Sequence, residues 1–255
     1  MAVDVRALVG GRTGIGVYTE ALLARLLDEP DLGFVAMAHR PPEGIETLAA
    51  RGLRCETQAA PLGILWQQLR LPRRLARGDV DLLWSPLFTL PLFLPVPAVV
   101  TVHDLTPVLL PRAHRWKTRW TIRPFLARSL ARARRVVAVS EATAADLRRL
   151  YPRCAERLTV IHNGVDPEFR PAAPEAIRAT RAELHCPRGF VLYAGTLEPR
   201  KNLGGLLDAW QELRRRGAAD LPLVLAGPYG WGSRELTDRL AALAGEGVLY
   251  LGPLP

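Results

Sequence analysis

Three short segments of the chain combine residue types suited to an anionic ligand. Gly10-Gly11-Arg12-Thr13-Gly14-Ile15-Gly16 follows an apolar, β-branched run and opens a stretch of helical period, where glycines let backbone N–H groups approach a phosphate. A plain turn is the competing reading of the same residues. His103 and Asp104 end the run PAVVTVH, a strand-end position where an imidazole can exchange hydrogen bonds with a ligand, although a lone histidine is more often packed or solvated. In GTLEPRKN, beginning at Gly195, the adjacent cations Arg200 and Lys201 precede a helical pattern. Cations at a helix N terminus oppose its dipole by roughly 0.3 to 1 kcal/mol each, so an anion is the natural compensation and a solvated pair the alternative.

Two phosphate-loop motifs fail on their own residues. GxGxxG read from Gly14 needs glycine at position 19, where Thr19 stands, and the second strand ends at His39 and Arg40 without an acid for a ribose. A P-loop needs Lys and then Ser or Thr after Gly16, but Val17 and Tyr18 follow. Ser140, before EATAADLRRLY, reads as a helix N-cap, and Asn163-Gly164 as a tight turn.

The elements that must hold these residues alternate. VDVRAL, GFVAMA, VDLLWS, PAVVTVH, RVVAVS and RLTVIH are strand-like and separated by helical stretches, which predicts a mostly parallel sheet with crossover helices. Prolines 167, 171, 174 and 187 mark a connection with one short helical pattern. The pattern then restarts with GFVLYAG, LPLVLAG and GVLYLG, with helices predicted from about Asn202 to Arg216 and about Ser233 to Ala244. The expected organisation is a Rossmann-like domain over 1–170, a connection over 171–187, and the first half of a second such domain over 188–255. In open α/β sheets a ligand sits beyond the carboxyl ends of the strands, and the singled-out residues all follow strands.

The 255 residues are 49% hydrophobic and 23% charged, a globular composition that excludes disorder. Cys55, Cys154 and Cys186 lie far apart without metal-ligand spacing, which points to a reducing cytosol rather than to a disulfide framework or zinc site. The net charge is +9, and nearly all of it belongs to residues 1–170. Residues 112–135 hold nine Lys or Arg and no acid, with Trp116 and Trp120 among them, a pattern suited to an anionic membrane or other polyanion, or to a solvated basic helix face. LFTLPLFLP, 87–95, reads as core or as a wall for a lipid acceptor.

VDVRALVGGRTGIGVYTEALLARLL, VVTVHDLTPVLLP, VVAVSEATAADLRRLYP, RLTVIHNGVDPEFRP and LYAGTLEPRKNLGGLLDAW together resemble, in order and over nearly the whole chain, the retaining nucleotide-sugar glycosyltransferases of family four and the GT-B fold. The segments GTLEPRKN and AGPYGWG are similar to its mannosyltransferase-like branch. The resemblance implies a donor cleft between two Rossmann-like domains, the first binding mainly acceptor and the second nucleotide. It implies that Gly14 and Gly16 face the donor diphosphate and sugar, that His103 contacts the donor sugar, and that Gly195, Arg200 and Lys201 bind the diphosphate. It further implies a nucleotide-diphosphate hexose as donor, a saccharide or lipid-linked acceptor, retention, and no cofactor, metal or nucleic acid. The family's second domain carries a glycine-rich turn flanked by two glutamates eight positions apart. Glu175 and Glu183 share only the spacing, so the expectation is a chain lacking part of that domain and weakly active. The contrasting reading is a non-enzymatic basic protein that binds an anionic membrane or polyanion.

Overall fold

The apolar runs become parallel strands. The computed structural model describes residues 1–11, 13–111, 116–217, 221–231 and 234–254, with the backbone alone for 116–123. The chain divides into two units, Met1–Gly164 and Val165–Pro255.

The first unit runs β1 (Ala2–Asp4), α1 (Gly14–Leu26), β2 (Val35–Ala38), α2 (Glu46–Ala50), β3 (Arg54–Thr57), α3 (Gly63–Leu65), α4 (Leu71–Leu75), β4 (Leu83–Ser85), β5 (Ala98–Val102), α5 (Thr106–Leu109), α6 (Trp116–Arg132), β6 (Arg135–Ala138), α7 (Glu141–Leu150) and β7 (Leu158–Val160). Its seven strands lie in the order β3-β2-β1-β4-β5-β6-β7, every pairing parallel. The order reverses between β1 and β4, which is where open α/β sheets take their ligands. Because helices cover both faces, β2 (VAMA) and β4 (LWS) are buried at every position and read as unbroken apolar runs. Adjacent residues of β1 serve opposite faces: Ala2 joins the core around Trp66, Leu83, Val100 and Leu130, and Val3 the core around Leu23, Phe34 and Leu53. β3 was not among the expected strands. Its sequence RCET is mostly exposed at the sheet edge and carries no burial signal. Helix α3 continues through a π-helical turn (Trp66–Arg70) into α4.

The second unit contains α8 (Pro174–Glu183), β8 (Val191–Ala194), α9 (Leu203–Arg215), β9 (Leu223–Ala226), α10 (Arg234–Leu243) and β10 (Val248–Gly252). Its parallel sheet has the order β10-β9-β8. The central strand β9 is buried throughout, and Leu197, Leu203, Leu207, Trp210 and Leu240 pack around it. The division between units falls at Gly164, slightly before the boundary expected at 170. The helical pattern expected in the connection is α8, which buries none of its residues. Among the described residues, no helix is long and apolar enough to cross a membrane.

Candidate functional site

In the first unit the expected residues lie on the carboxyl edge of the sheet. Helix α1 starts at Gly14 because Thr13, in extended conformation, caps it, its Oγ1 accepting the Gly16 N–H at 3.1 Å. The cap occupies the Gly16 amide and leaves those of Gly14 and Ile15 at the N terminus, without an acceptor among the described residues. The two glycines answer to different constraints. A Cβ on Gly16 would stand 2.8 Å from the Ala7 carbonyl oxygen, so glycine is required there for close packing of α1 on the turn that follows β1. A Cβ on Gly14 would meet nothing within 4 Å, which makes Gly14 the position with an open approach.

His103 follows β5 and is half-buried. Its Nε2 lies 3.1 Å from the Pro86 carbonyl oxygen. A carbonyl only accepts, so Nε2 carries the proton and Nδ1 is left as an acceptor. Burial, only partly opposed by the Pro86 carbonyl and Asp104, holds the imidazole pKa below its ordinary value, and the ring is neutral at pH 7. Tyr18 and Phe88 meet the ring edge-on, with centroids 4.8 and 5.9 Å away. Phe88 has φ 44°, in the left-handed region that a bulky side chain rarely adopts. The loop holding it is fixed by the Ser85 hydroxyl and Gln67 Nε2, which donate to the Thr89 carbonyl at 2.9 and 2.8 Å. Asp104 is occupied elsewhere: its Oδ1 accepts from the Thr106 amide and hydroxyl at 2.9 and 2.6 Å. Ser140 is the N-cap expected of it, accepting the Thr143 N–H at 3.1 Å.

One buried pair beneath this edge was visible in the sequence only as charges within an apolar run. Asp4 is fully buried at the end of β1 and takes both Nε and Nη2 of Arg6, at 2.8 and 2.7 Å. Arg6 also donates to the Gly63 carbonyl at 3.1 Å and lies over the Trp66 ring. The pair thereby ties the turn after β1 to the start of α3.

In the second unit, β8 ends at Ala194 and is followed by Gly195, where backbones crowd: a Cβ on Gly227 would stand 2.1 Å from the Gly195 oxygen. Pairing persists past the strand ends through Leu197 N–H to the Pro228 oxygen and Gly230 N–H to the Leu197 oxygen, both 2.9 Å. Pro199–Lys201 forms a 3₁₀ turn, and Asn202, at φ 52°, leads into α9. Arg200 and Lys201 differ in their surroundings. Arg200 is held by Glu198 Oε1, at 3.0 Å from Nε and 2.6 Å from Nη2. Lys201 is exposed and, among the described residues, has no ion-pair partner. A shallow cavity of about 210 Å³ adjoins this turn, lined by Glu198, Pro199, Asn202, Leu203, Glu235 and Arg239. Glu175 and Glu183 are exposed on α8, and Glu175 pairs with Arg178 at 2.9 Å. No group of three or more metal-ligating side chains occurs among the described residues.

The basic segment expected over 112–135 is described only in part. Residues 112–115 lie outside the described residues, as do the side chains of 116–123, Trp116 and Trp120 among them. Further along, Arg128, Arg132, Arg134 and Arg135 are exposed, while Leu126, Leu130 and Ala133 are buried in the core.

Residues 12–169, which take in the Gly14 turn, His103 and Ser140, match the family model for Glycosyltransferase Family 4. The chain is 29% identical over 261 residues to the O-antigen chain mannosyltransferase B of Escherichia coli, covering 95% of this chain and 68% of that protein. It is 28% identical over 157 residues to the serotype-specific mannosyltransferase WbdA of Escherichia coli, covering 56% of this chain and 19% of that one. Anabaena HepE, solved with UDP and glucose, superposes with a TM-score of 0.69 at 19% identity, over 100% of this chain and 69% of that one. WaaG, a glycosyltransferase involved in lipopolysaccharide biosynthesis, does so with a TM-score of 0.67 at 12% identity, over 100% and 70%. The α/β fold with its parallel sheets is therefore that of the GT-B glycosyltransferases. With the family model spanning well over half of its length, the chain belongs to glycosyltransferase family 4.

Proposed function

We propose that this glycosyltransferase moves a hexosyl group, mannosyl in the first instance, from a nucleotide-diphosphate sugar to a saccharide or lipid-linked acceptor, with retention and without a metal. The observation that carries the reading is Lys201: an exposed cation with no ion-pair partner among the described residues, placed where a helix begins and an anion is favoured. Lys201 neutralises the diphosphate directly, and Arg200 does so while sharing its guanidinium with Glu198. His103, protonated on Nε2, accepts a sugar hydroxyl at Nδ1. The names of the Escherichia coli relatives support mannose as the sugar.

Carboxylates near these strand ends are engaged: Asp4 by Arg6, Asp104 by Thr106 and Glu198 by Arg200. A glycosidase-like nucleophile pair would need two that are available. The reading is accordingly a front-face transfer. The bond from C1 to the leaving phosphate oxygen breaks as the acceptor oxygen bonds C1 on the same face, and the acceptor proton passes to that phosphate oxygen.

Binding of GDP- and UDP-hexoses by calorimetry, with anomeric couplings of the product by NMR, tests the reading. Lys201→Ala should cost about 2.7 to 4 kcal/mol of transition-state stabilisation, as for the loss of one preorganised donor. Unchanged turnover in that variant would remove the diphosphate role. An inverted anomer would overturn the front-face step, and loss of activity in EDTA would overturn metal independence.

A further inference from the structure

Five large apolar side chains of the first unit stand in solvent where a helix and a loop are fastened together. Leu62, Leu65 and Leu69 are 58, 42 and 52% exposed. Leu65 and Leu69, four residues apart, share one stripe of the helix that runs from α3 through the π turn to α4, and Leu62 is the extended residue that leads into it. The opposite side of that helix already supplies the core with Trp66, Leu71 and Leu75. Gln68 Oε1 accepts the Leu92 N–H at 2.8 Å, and its Nε2 donates to the Leu90 oxygen at 3.4 Å. The loop after β4 is thus held against the helix at Gln68, the residue before Leu69, and Leu92 and Phe93 at its tip are 43 and 65% exposed.

The stripe continues into exposed arginines, Arg70, Arg73 and Arg77. Arg73 bonds back to the Leu69 oxygen at 2.8 Å, which keeps its charge beside the apolar side chains. Glu56 and Asp79, which pack against the same helix, are both held by the buried Arg74. Leucines and a phenylalanine leading into arginines suit a helix lying in a headgroup region, with apolar side chains inserted and guanidiniums at the phosphates. A second copy of the chain would bury those guanidiniums opposite a patch whose adjoining carboxylates, Glu56 and Asp79, are already held by Arg74. An anionic bilayer supplies the missing charge.

We propose that Leu65, Leu69, Leu92 and Phe93, with Arg70 and Arg73, form a docking surface for an anionic lipid bilayer. The inference goes beyond the transferase reading and does not rest on it. The test is co-sedimentation of the full chain with vesicles of phosphatidylethanolamine and phosphatidylglycerol, beside vesicles of phosphatidylcholine alone. Anionic vesicles should bind the protein, less so as salt rises. The pair Leu65→Ser/Leu69→Ser should lower partitioning about tenfold, and Phe93→Ser roughly fivefold. Arg70→Glu/Arg73→Glu should lower it by at least about tenfold. These side chains are exposed, so unfolding curves should match the parent, and transfer to a short soluble acceptor should be unchanged. That last readout separates failure of the docking surface from failure of the transferase reading. Parent-like vesicle binding by the leucine and phenylalanine variants would overturn the proposal. So would a loss of binding that follows Arg128→Glu/Arg132→Glu instead, or a dimer abolished by Leu65→Ser/Leu69→Ser with no vesicle binding in the parent.

Discussion

Glycines 14 and 16 occupy the same turn of one helix, yet a single added methyl should separate them. Gly16→Ala sets a carbon 2.8 Å from a backbone oxygen that no side-chain rotation can move, and should destabilise the protein by about 1 to 3 kcal/mol in urea unfolding. Gly14→Ala adds its methyl to open space, so unfolding should be unchanged while donor affinity falls. Equal unfolding midpoints for the two variants would remove the packing explanation. Phe88 presents the reverse case, a side chain that persists in a backbone conformation suited to glycine. Phe88→Gly should unfold no more easily than Phe88→Ala and should show the same fall in kcat, because both release the edge contact on His103. The buried imidazoles give a pH signature. His103 and His39 both titrate below the ordinary value of 6.5, chiefly through burial, and His39 also through Arg40 and Arg6. The unfolded chain therefore binds protons first, so stability is full above that value and is lost as pH falls through it. His39 has in addition a buried Nδ1 without a hydrogen-bond partner among the described residues. Melting temperature should drop as pH is lowered from 7.5 to about 5.5, and drop less in His39→Gln; a flat profile in the parent would contradict both assignments.

Among the elements, the interrupted helix from α3 to α4 is tied to the edge strand β3 through Arg74. Arg74, 4% exposed, forks onto Glu56 of β3 at 2.6 and 2.8 Å and onto Asp79 at 2.6 and 2.8 Å. The guanidinium hydrogen bonds hold the Glu56 carboxyl below its ordinary pKa. Arg74→Met should therefore lower the urea midpoint more than Arg73→Met does, and Arg74→Lys should not restore it, because lysine lacks the fork. The same region marks the limit of what residue order discloses. Strands β5 and β9 were legible as PAVVTVH and LPLVLAG because a parallel strand covered on both faces has no polar side. β3 was silent because its side chains face solvent, and α3 with α4 because Pro72, the π turn and outward leucines break the apolar period. At the site, the strand-end positions of His103 and Gly195 were legible, since parallel topology places loops at the carboxyl edge. Three features were not: the φ of Phe88, the capture of Arg200 by Glu198, and the approach of Gly16 to Ala7. Each depends on backbone geometry or on a neighbour that residue type does not encode.

Over the whole molecule, two units with separate cores are joined by a stretch exposed at every position from 161 to 180. Phe169 is 83% exposed there, and Arg178, which precedes Ala179, offers a tryptic site. Limited trypsin digestion should cut first in this stretch and leave a folded fragment ending at Arg178. Initial cleavage inside the first unit instead would show that the stretch is covered. A last consequence concerns how such a chain is made. Ala2 of β1 pairs with Val35 on one side and with Leu83 on the other, both in parallel. Of these three strands β1 leaves the ribosome before either partner, and it is an interior strand of the finished seven-stranded sheet. At synthesis rates of about 5 to 20 residues per second, the roughly 48 residues from Val35 to Leu83 take about 2.4 to 10 s to emerge. For that interval the nascent chain holds out an apolar strand with one side unpaired, so the yield of native protein should depend on translation speed and on chaperone supply.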